Sequence, residues 1–180
     1  MSTWIAFFRG INVGGNNALP MKQLVTTFEG IGFTGVRTYI QSGNVVFNCS
    51  KATAPQLVKR IGECVSQGFG FEPRVLVLSS AELEKAAAAN PFPQADADPK
   101  SLHLFFLERT PDSADIAGLT KLKEKTEAFV IKGKVFYLHA PAGFGTSKLA
   151  VRAEKLLGTA ATARNWRTVR AVIDLAASVR

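Results

Sequence analysis

The chain of 180 residues carries 22 Lys and Arg against 14 Asp and Glu, a formal net charge of +8, and 47% of it is hydrophobic. This length holds one large domain or two of about 90 residues each, and the apolar content supplies a core, which excludes wholesale disorder. Cys49 and Cys64 alone make no disulfide framework, and with His103 and His139 they offer no zinc-ligand spacing.

Taken in order, Trp4–Phe8 reads as a strand apolar on both faces, as in a sheet covered on both sides. It is too short for a membrane span or a signal h-region, and no basic segment precedes it. The expectation is a soluble, cytoplasmic protein without a membrane partner. The strand leads into Arg9-Gly10-Ile11-Asn12-Val13-Gly14-Gly15-Asn16-Asn17, a loop of three glycines and three asparagines. Met21, Leu24, Val25 and Phe28 then recur at helical spacing, with Pro20 at the first helical position and Gly30 or Gly32 as the stop. Residues 36–41 and 44–48 predict a hairpin turning at Ser42-Gly43. A helix from about Pro55 buries Leu57, Val58, Ile61, Cys64 and Val65, so Cys64 reads as a small hydrophobe. A strand over 74–78 and an Ala-rich helix over 80–89 complete a βαββαβ order plus one helix.

The proline-rich stretch 91–100 predicts a linker between an N-terminal half, 1–90, and a C-terminal half, 101–180. The order then repeats. Residues 102–107 read as a strand, and Thr110-Pro111-Asp112 as the cap of a helix holding Ile116, Leu119 and Leu122. A hairpin turns at Gly133, a helix spans 147–157, a short strand lies within 159–164, and a last helix covers 167–178. The fold class expected is α+β, a tandem duplication of ferredoxin-like βαββαβ units, an α-β plait.

Charge is concentrated late. Residues 130–180 hold nine Lys and Arg (132, 134, 148, 152, 155, 164, 167, 170 and 180) against Glu154 and Asp174, a net +7. A solubilising surface explains this as well as an anionic partner does. Lys148, Arg152 and Lys155 share one helix face opposite Leu149, Ala153, Leu156 and Leu157. Thr146 or Ser147 can cap that helix, and Lys148 in its first turn opposes the helix dipole unless an anion sits there.

Four places could carry a ligand. The Arg9 loop, with Asn12, can bring backbone N–H groups to an anion, although a wide turn needs the same residues; it has neither the P-loop nor the dinucleotide pattern. Gln41, Ser42 and Asn44 surround the hairpin turn, where turn chemistry explains all but Gln41. Ser147, Lys148 and Arg152 form the basic helix. Arg164, Asn165 and Trp166 precede the last helix, where Trp166 is either a core anchor or a stacking platform for a base. His103 reads as structural; His139 is the better general-base candidate, without a triad or paired carboxylates beside it. No catalytic residue, metal ligand or cofactor is assigned.

Arg9-Gly10-Ile11-Asn12-Val13-Gly14-Gly15 with Pro20-Met21, then Thr38-Tyr39-Ile40-Gln41-Ser42-Gly43-Asn44-Val45-Val46-Phe47, resembles the signature of a bacterial family known as domain of unknown function 1697. Asn90-Pro91-Phe92, Ser147-Lys148 and Arg164-Asn165-Trp166-Arg167-Thr168-Val169 continue the same pattern. The resemblance implies a duplicated ferredoxin-like architecture and no particular activity.

Three functions fit these residues. The first is binding of an anionic ligand, nucleic acid foremost, through the basic C-terminal third. The second is an enzyme or sensor for a small phosphorylated or carboxylated metabolite, with the Arg9 loop, the Gln41–Asn44 turn and the Arg164 region composing one site. The third is a structural or interaction module.

Overall fold

The computed structural model describes residues 1–15 and 17–179; Asn16 of the glycine loop and Arg180 of the basic segment lie outside the described residues. Among the described residues the chain is α+β, with two four-stranded antiparallel sheets and six α-helices. It divides into two compact units, Met1–Lys85 with Arg170–Arg180, and Ala86–Val169. No helix among the described residues is long and apolar enough to cross a membrane.

The first unit runs β1 (Ser2–Arg9), α1 (Met21–Gly30), β2 (Thr34–Tyr39), β3 (Asn44–Cys49), α2 (Ala54–Phe69) and β4 (Arg74–Ser79), with sheet order β2-β3-β1-β4. Pairings of Ala6 with Val45 and of Ala6 with Val77 put alternate residues of the three strands on one face. There they join Leu24 and Phe28 of α1 and Leu57, Ile61 and Val65 of α2 in one core. Cys64 belongs to that core; burial pushes its thiol up, against the pull of Arg60. Ile5, Phe7 and Val46 point the other way and are fully buried too. The doubly apolar reading of β1 therefore holds. At the chain's end, Asn48 Nδ2 of β3 donates to the carbonyl of Val179 at 2.6 Å.

The helix starts follow local chemistry. Pro20 keeps an extended ψ of 123° and is the N-cap of α1, one place earlier than expected, because its carbonyl already accepts from Leu24 N. Thr53 and Gln56 make the capping box of α2. The hairpin turn differs from the expected two-residue form. β2 ends at Tyr39, so residues 40–43 form the turn and Gln41 lies within it, not at a strand end. Phe8 N donates to Gly43 O at 2.8 Å, pulling the turn onto β1.

After α3 (Ser80–Ala88), the second unit runs β5 (Leu102–Leu107), α4 (Ile116–Leu122), β6 (Ala128–Lys132), β7 (Val135–His139), α5 (Lys148–Leu157) and β8 (Ala161–Asn165), and leads into α6 (Trp166–Ala177). Its sheet order is β6-β7-β5-β8. Phe105 and Leu107 of β5 pack with Leu119 of α4 and Leu149, Ala153 and Leu157 of α5. Leu102, Leu104 and Tyr137 are buried on the opposite face. Asp115, not Thr110–Asp112, caps α4, by accepting from Gly118 N at 2.8 Å. The stretch 91–100 is partly structured: Pro93–Asp96 is a 3-10 turn and Ala95 is fully buried.

Two glycines give opposite expectations. A Cβ on Gly43 would lie 2.6 Å from both Phe8 Cβ and Ile11 Cδ1, at a φ of +74°. Gly43→Ala should cost about 2 kcal/mol or more. Gly62, inside α2, has open space around it, and Gly62→Ala should stabilise by about 0.5–1 kcal/mol. Urea denaturation of both variants checks the pair; a tolerated Gly43→Ala would contradict the close approach.

Candidate functional site

The Arg9 loop and the 40–43 turn meet at one end of the first sheet. Asn12, at a φ of +54°, joins them. Its Nδ2 donates to Gln41 O at 2.9 Å and Leu19 O at 3.0 Å, while its Oδ1 accepts from Leu19 N at 2.8 Å. One carboxamide thus fixes the loop, the approach to α1 and the turn, and both its polar atoms are engaged inside the protein. Asn17 Nδ2 closes the loop by donating to Gly10 O.

The turn is held from beneath by Asn44, which is fully buried and donates from Nδ2 to Tyr39 O and to Ser42 Oγ, each at 3.0 Å. That pin sustains Ile40 at a φ of +50°, a conformation costing a β-branched residue on the order of 1–3 kcal/mol. Gln41 and Ser42 remain exposed. Arg9 is half-buried at the end of β1, opposite Arg74 across the ladder, on the sheet face away from α1 and α2.

In the second unit the basic residues separate. Ser147 is buried, and its Oγ caps α5 by accepting from Ala150 N at 3.0 Å. Lys148, Arg152 and Lys155 are exposed along α5 and make no hydrogen bond or ion pair with the described residues. Arg164 lies elsewhere. It pairs with Leu104 in the ladder, on the face of the sheet away from α4 and α5. Burial holds its guanidinium down to about 10, still cationic at neutral pH, and Nη1 donates to Ala163 O. Asn165 Oδ1 accepts from Thr168 N at 2.8 Å and caps α6. Trp166 is 7% exposed, and its Nε1 donates to Asp96 Oδ1 at 2.7 Å. At that exposure it is buried as a core anchor is. Asp96 carried no signal of this partnership in the sequence, 70 residues away.

Neither histidine has catalytic company. His139 is half-buried with its ring stacked on Phe92, centroids 5.5 Å apart. His103 stacks on Phe144 at 3.6 Å, and its buried Nδ1 has no partner. Phe144 belongs to the 3-10 turn before α5, so the glycine-rich stretch 141–146 lies over β5. Among the described residues no group of three His, Cys, Asp or Glu could hold a metal ion.

Burial lowers the His103 pKa from 6.5 to about 4. The folded state therefore takes up this proton later than the unfolded chain does. The contribution of His103 to stability is complete above about pH 6.5 and is lost as pH falls towards 4, up to about 3 kcal/mol. His103→Phe should flatten stability between pH 4 and 6.5, as read from urea midpoints; an unchanged slope would show that His103 titrates normally.

The sequence model of the family described as "Protein of unknown function (DUF1697)" matches residues 1–137. The solved structure of the conserved bacterial protein SP0830 from Streptococcus pneumoniae is similar, with a TM-score of 0.73 and 22% identity over 97% of this chain and 98% of that one. At that identity the likeness speaks to the fold alone. No curated protein matches the chain.

Proposed function

We propose that this chain, which belongs to the DUF1697 family of proteins of unknown function, binds nucleic acid through the exposed basic face of α5. The carrying observation is the row Lys148, Arg152 and Lys155, three exposed cations on one helix face that no carboxylate among the described residues engages. Unneutralised cations in a row favour a polyanion, because each phosphate contact releases a condensed counterion. The net +7 of residues 130–180 adds a field of the same sign. The apolar burial of both faces of β1 and β5 argues against base stacking on either sheet, so the contact is assigned to the helix.

Tandem ferredoxin-like units are our reading of the fold. Its support is that β2-β3-β1-β4 and β6-β7-β5-β8 are the same order twice, with the same antiparallel pairings. A crystal structure in which the two sheets fail to superpose strand for strand would break it. A cytoplasmic location suits the free thiols of Cys49 and Cys64; fractionation of the native host that placed the protein outside the cytoplasm would remove it.

The meeting of the Arg9 loop with the Gln41–Ser42 turn favours a second reading, a site for a small phosphorylated or carboxylated metabolite. The engagement of Asn12 and Asn44 in the protein's own hydrogen bonds leaves the exposed side chain of Gln41 as its candidate contact. A thermal-shift screen with phosphorylated metabolites that moves Tm, and no longer does so in Gln41→Ala, would establish it in place of the first.

For the first reading, fluorescence anisotropy with labelled mixed-sequence oligonucleotides at about 50 mM salt should show micromolar or tighter binding. Lys148→Ala with Arg152→Ala should weaken it by at least about fivefold, since two phosphate contacts are lost. Absence of binding at that salt would overturn the proposal.

A further inference from the structure

We infer that the α5 face is built for the paired backbones of a double-stranded nucleic acid in preference to a single strand; this rests on the nucleic-acid reading above and narrows it to one ligand class. The first ground is the shape of the row. At 100° per residue, Lys148, Arg152 and Lys155 fall within an arc of about 60°, and at 1.5 Å per residue they span about 10 Å of helix. The only carboxylate on α5, Glu154, is half-buried, engaged with the protein, and projects about 130° from the centre of that row.

The second ground is rigidity. Ser147 Oγ fixes the start of α5, and Gly158, in the left-handed region at a φ of +68°, closes its end by donating to Glu154 O and Lys155 O. Arg109 Nη2 donates to Gly158 O at 2.9 Å, setting a further cation at that terminus. Leu149, Ala153 and Leu157 lock the opposite side into the core. A straight, fixed row of charge matches a stiff polyanion better than a flexible one, which would have to be ordered on binding. A duplex carries a charge every ~1.7 Å of axis, against ~3.4 Å for one strand, so it offers the row about twice the charge.

The third ground is what a single strand would need. Proteins that hold single strands add stacking of bases on aromatic side chains to the basic groove. Among the described residues every Phe, Tyr and Trp is buried or half-buried. The two aromatics nearest the basic segments in sequence are engaged: Phe144 is stacked on His103, and Trp166 is anchored to Asp96. The exposed hydrophobic on α5 is Val151, at 78%, which has no ring to stack.

The deciding measurement is anisotropy with single- and double-stranded RNA and DNA of equal length, titrated from about 50 to 200 mM salt. Three variants accompany the natural chain: Lys148→Ala/Arg152→Ala/Lys155→Ala, the charge-keeping Lys148→Arg/Lys155→Arg, and a control, Lys22→Ala/Lys51→Ala/Lys59→Ala. The inference expects a duplex to bind at least about tenfold tighter than its separate strands. It expects that binding to fall roughly 40-fold across the salt range, the slope for three phosphates. The triple α5 variant should lose this salt-dependent binding, while the charge-keeping variant and the control retain it. Single strands binding as tightly as duplexes would overturn the inference and leave the nucleic-acid reading standing. No binding by any oligonucleotide, or equal loss in the control, would overturn both.

Discussion

Because β1 and β5 are buried on both faces, neither can give a side chain to solvent along most of its length, and this constraint orders the rest of each unit. Ile5, Phe7 and Phe8 in one strand, and Leu102, Leu104 and Phe106 in the other, are at most 3% exposed. Backbone groups at such depth must be paired, and both strands are paired on each side by antiparallel neighbours. Along β1 polar side chains are then pushed to the strand ends, Thr3 at one and Arg9 at the other. The candidate residues lie outside the strand interiors: Arg9 and Asn12 at the end of β1, Gln41 and Ser42 in a turn, and Lys148 and Arg152 on the outside of α5.

Within that frame, polar side chains serve two kinds of role. Asn12, Asn44, Ser147, Asn165 and Trp166 have polar atoms tied to the protein itself, closing a loop, a turn, two helix starts and a core contact. An orphaned donor or acceptor costs about 1–3 kcal/mol when buried, so stability alone is sufficient reason for these residues. Lys148, Arg152 and Lys155 are different. They make no hydrogen bond or ion pair with the described residues, which is why the functional reading rests on them and not on the richer-looking asparagine loop.

Much of the fold was legible in periodicity and turn chemistry. The amphipathic stripe of Leu57, Ile61 and Val65 and the hairpin turn at Gly133 are local patterns with local causes. The errors were local too, at boundaries where one long-range contact decides. Gln41 was expected to end a strand, but the pull of Gly43 onto Phe8 makes a four-residue turn. Thr110–Asp112 reads as the cap of α4, yet Asp115 N donates to Leu156 O in α5, which fixes where α4 begins.

The sequence by itself determined the element order, the doubly apolar first strand and the concentration of net positive charge in the last third, because these follow from spacing along the chain. Only the tertiary structure decided which basic residues share a surface. Arg164 and Arg152 are 12 positions apart, and the intervening Gly158 turn and β8 place them on opposite faces of one sheet. It also decided that Trp166 is an anchor, since its partner Asp96 lies 70 residues earlier and only folding brings that carboxylate to the indole N–H.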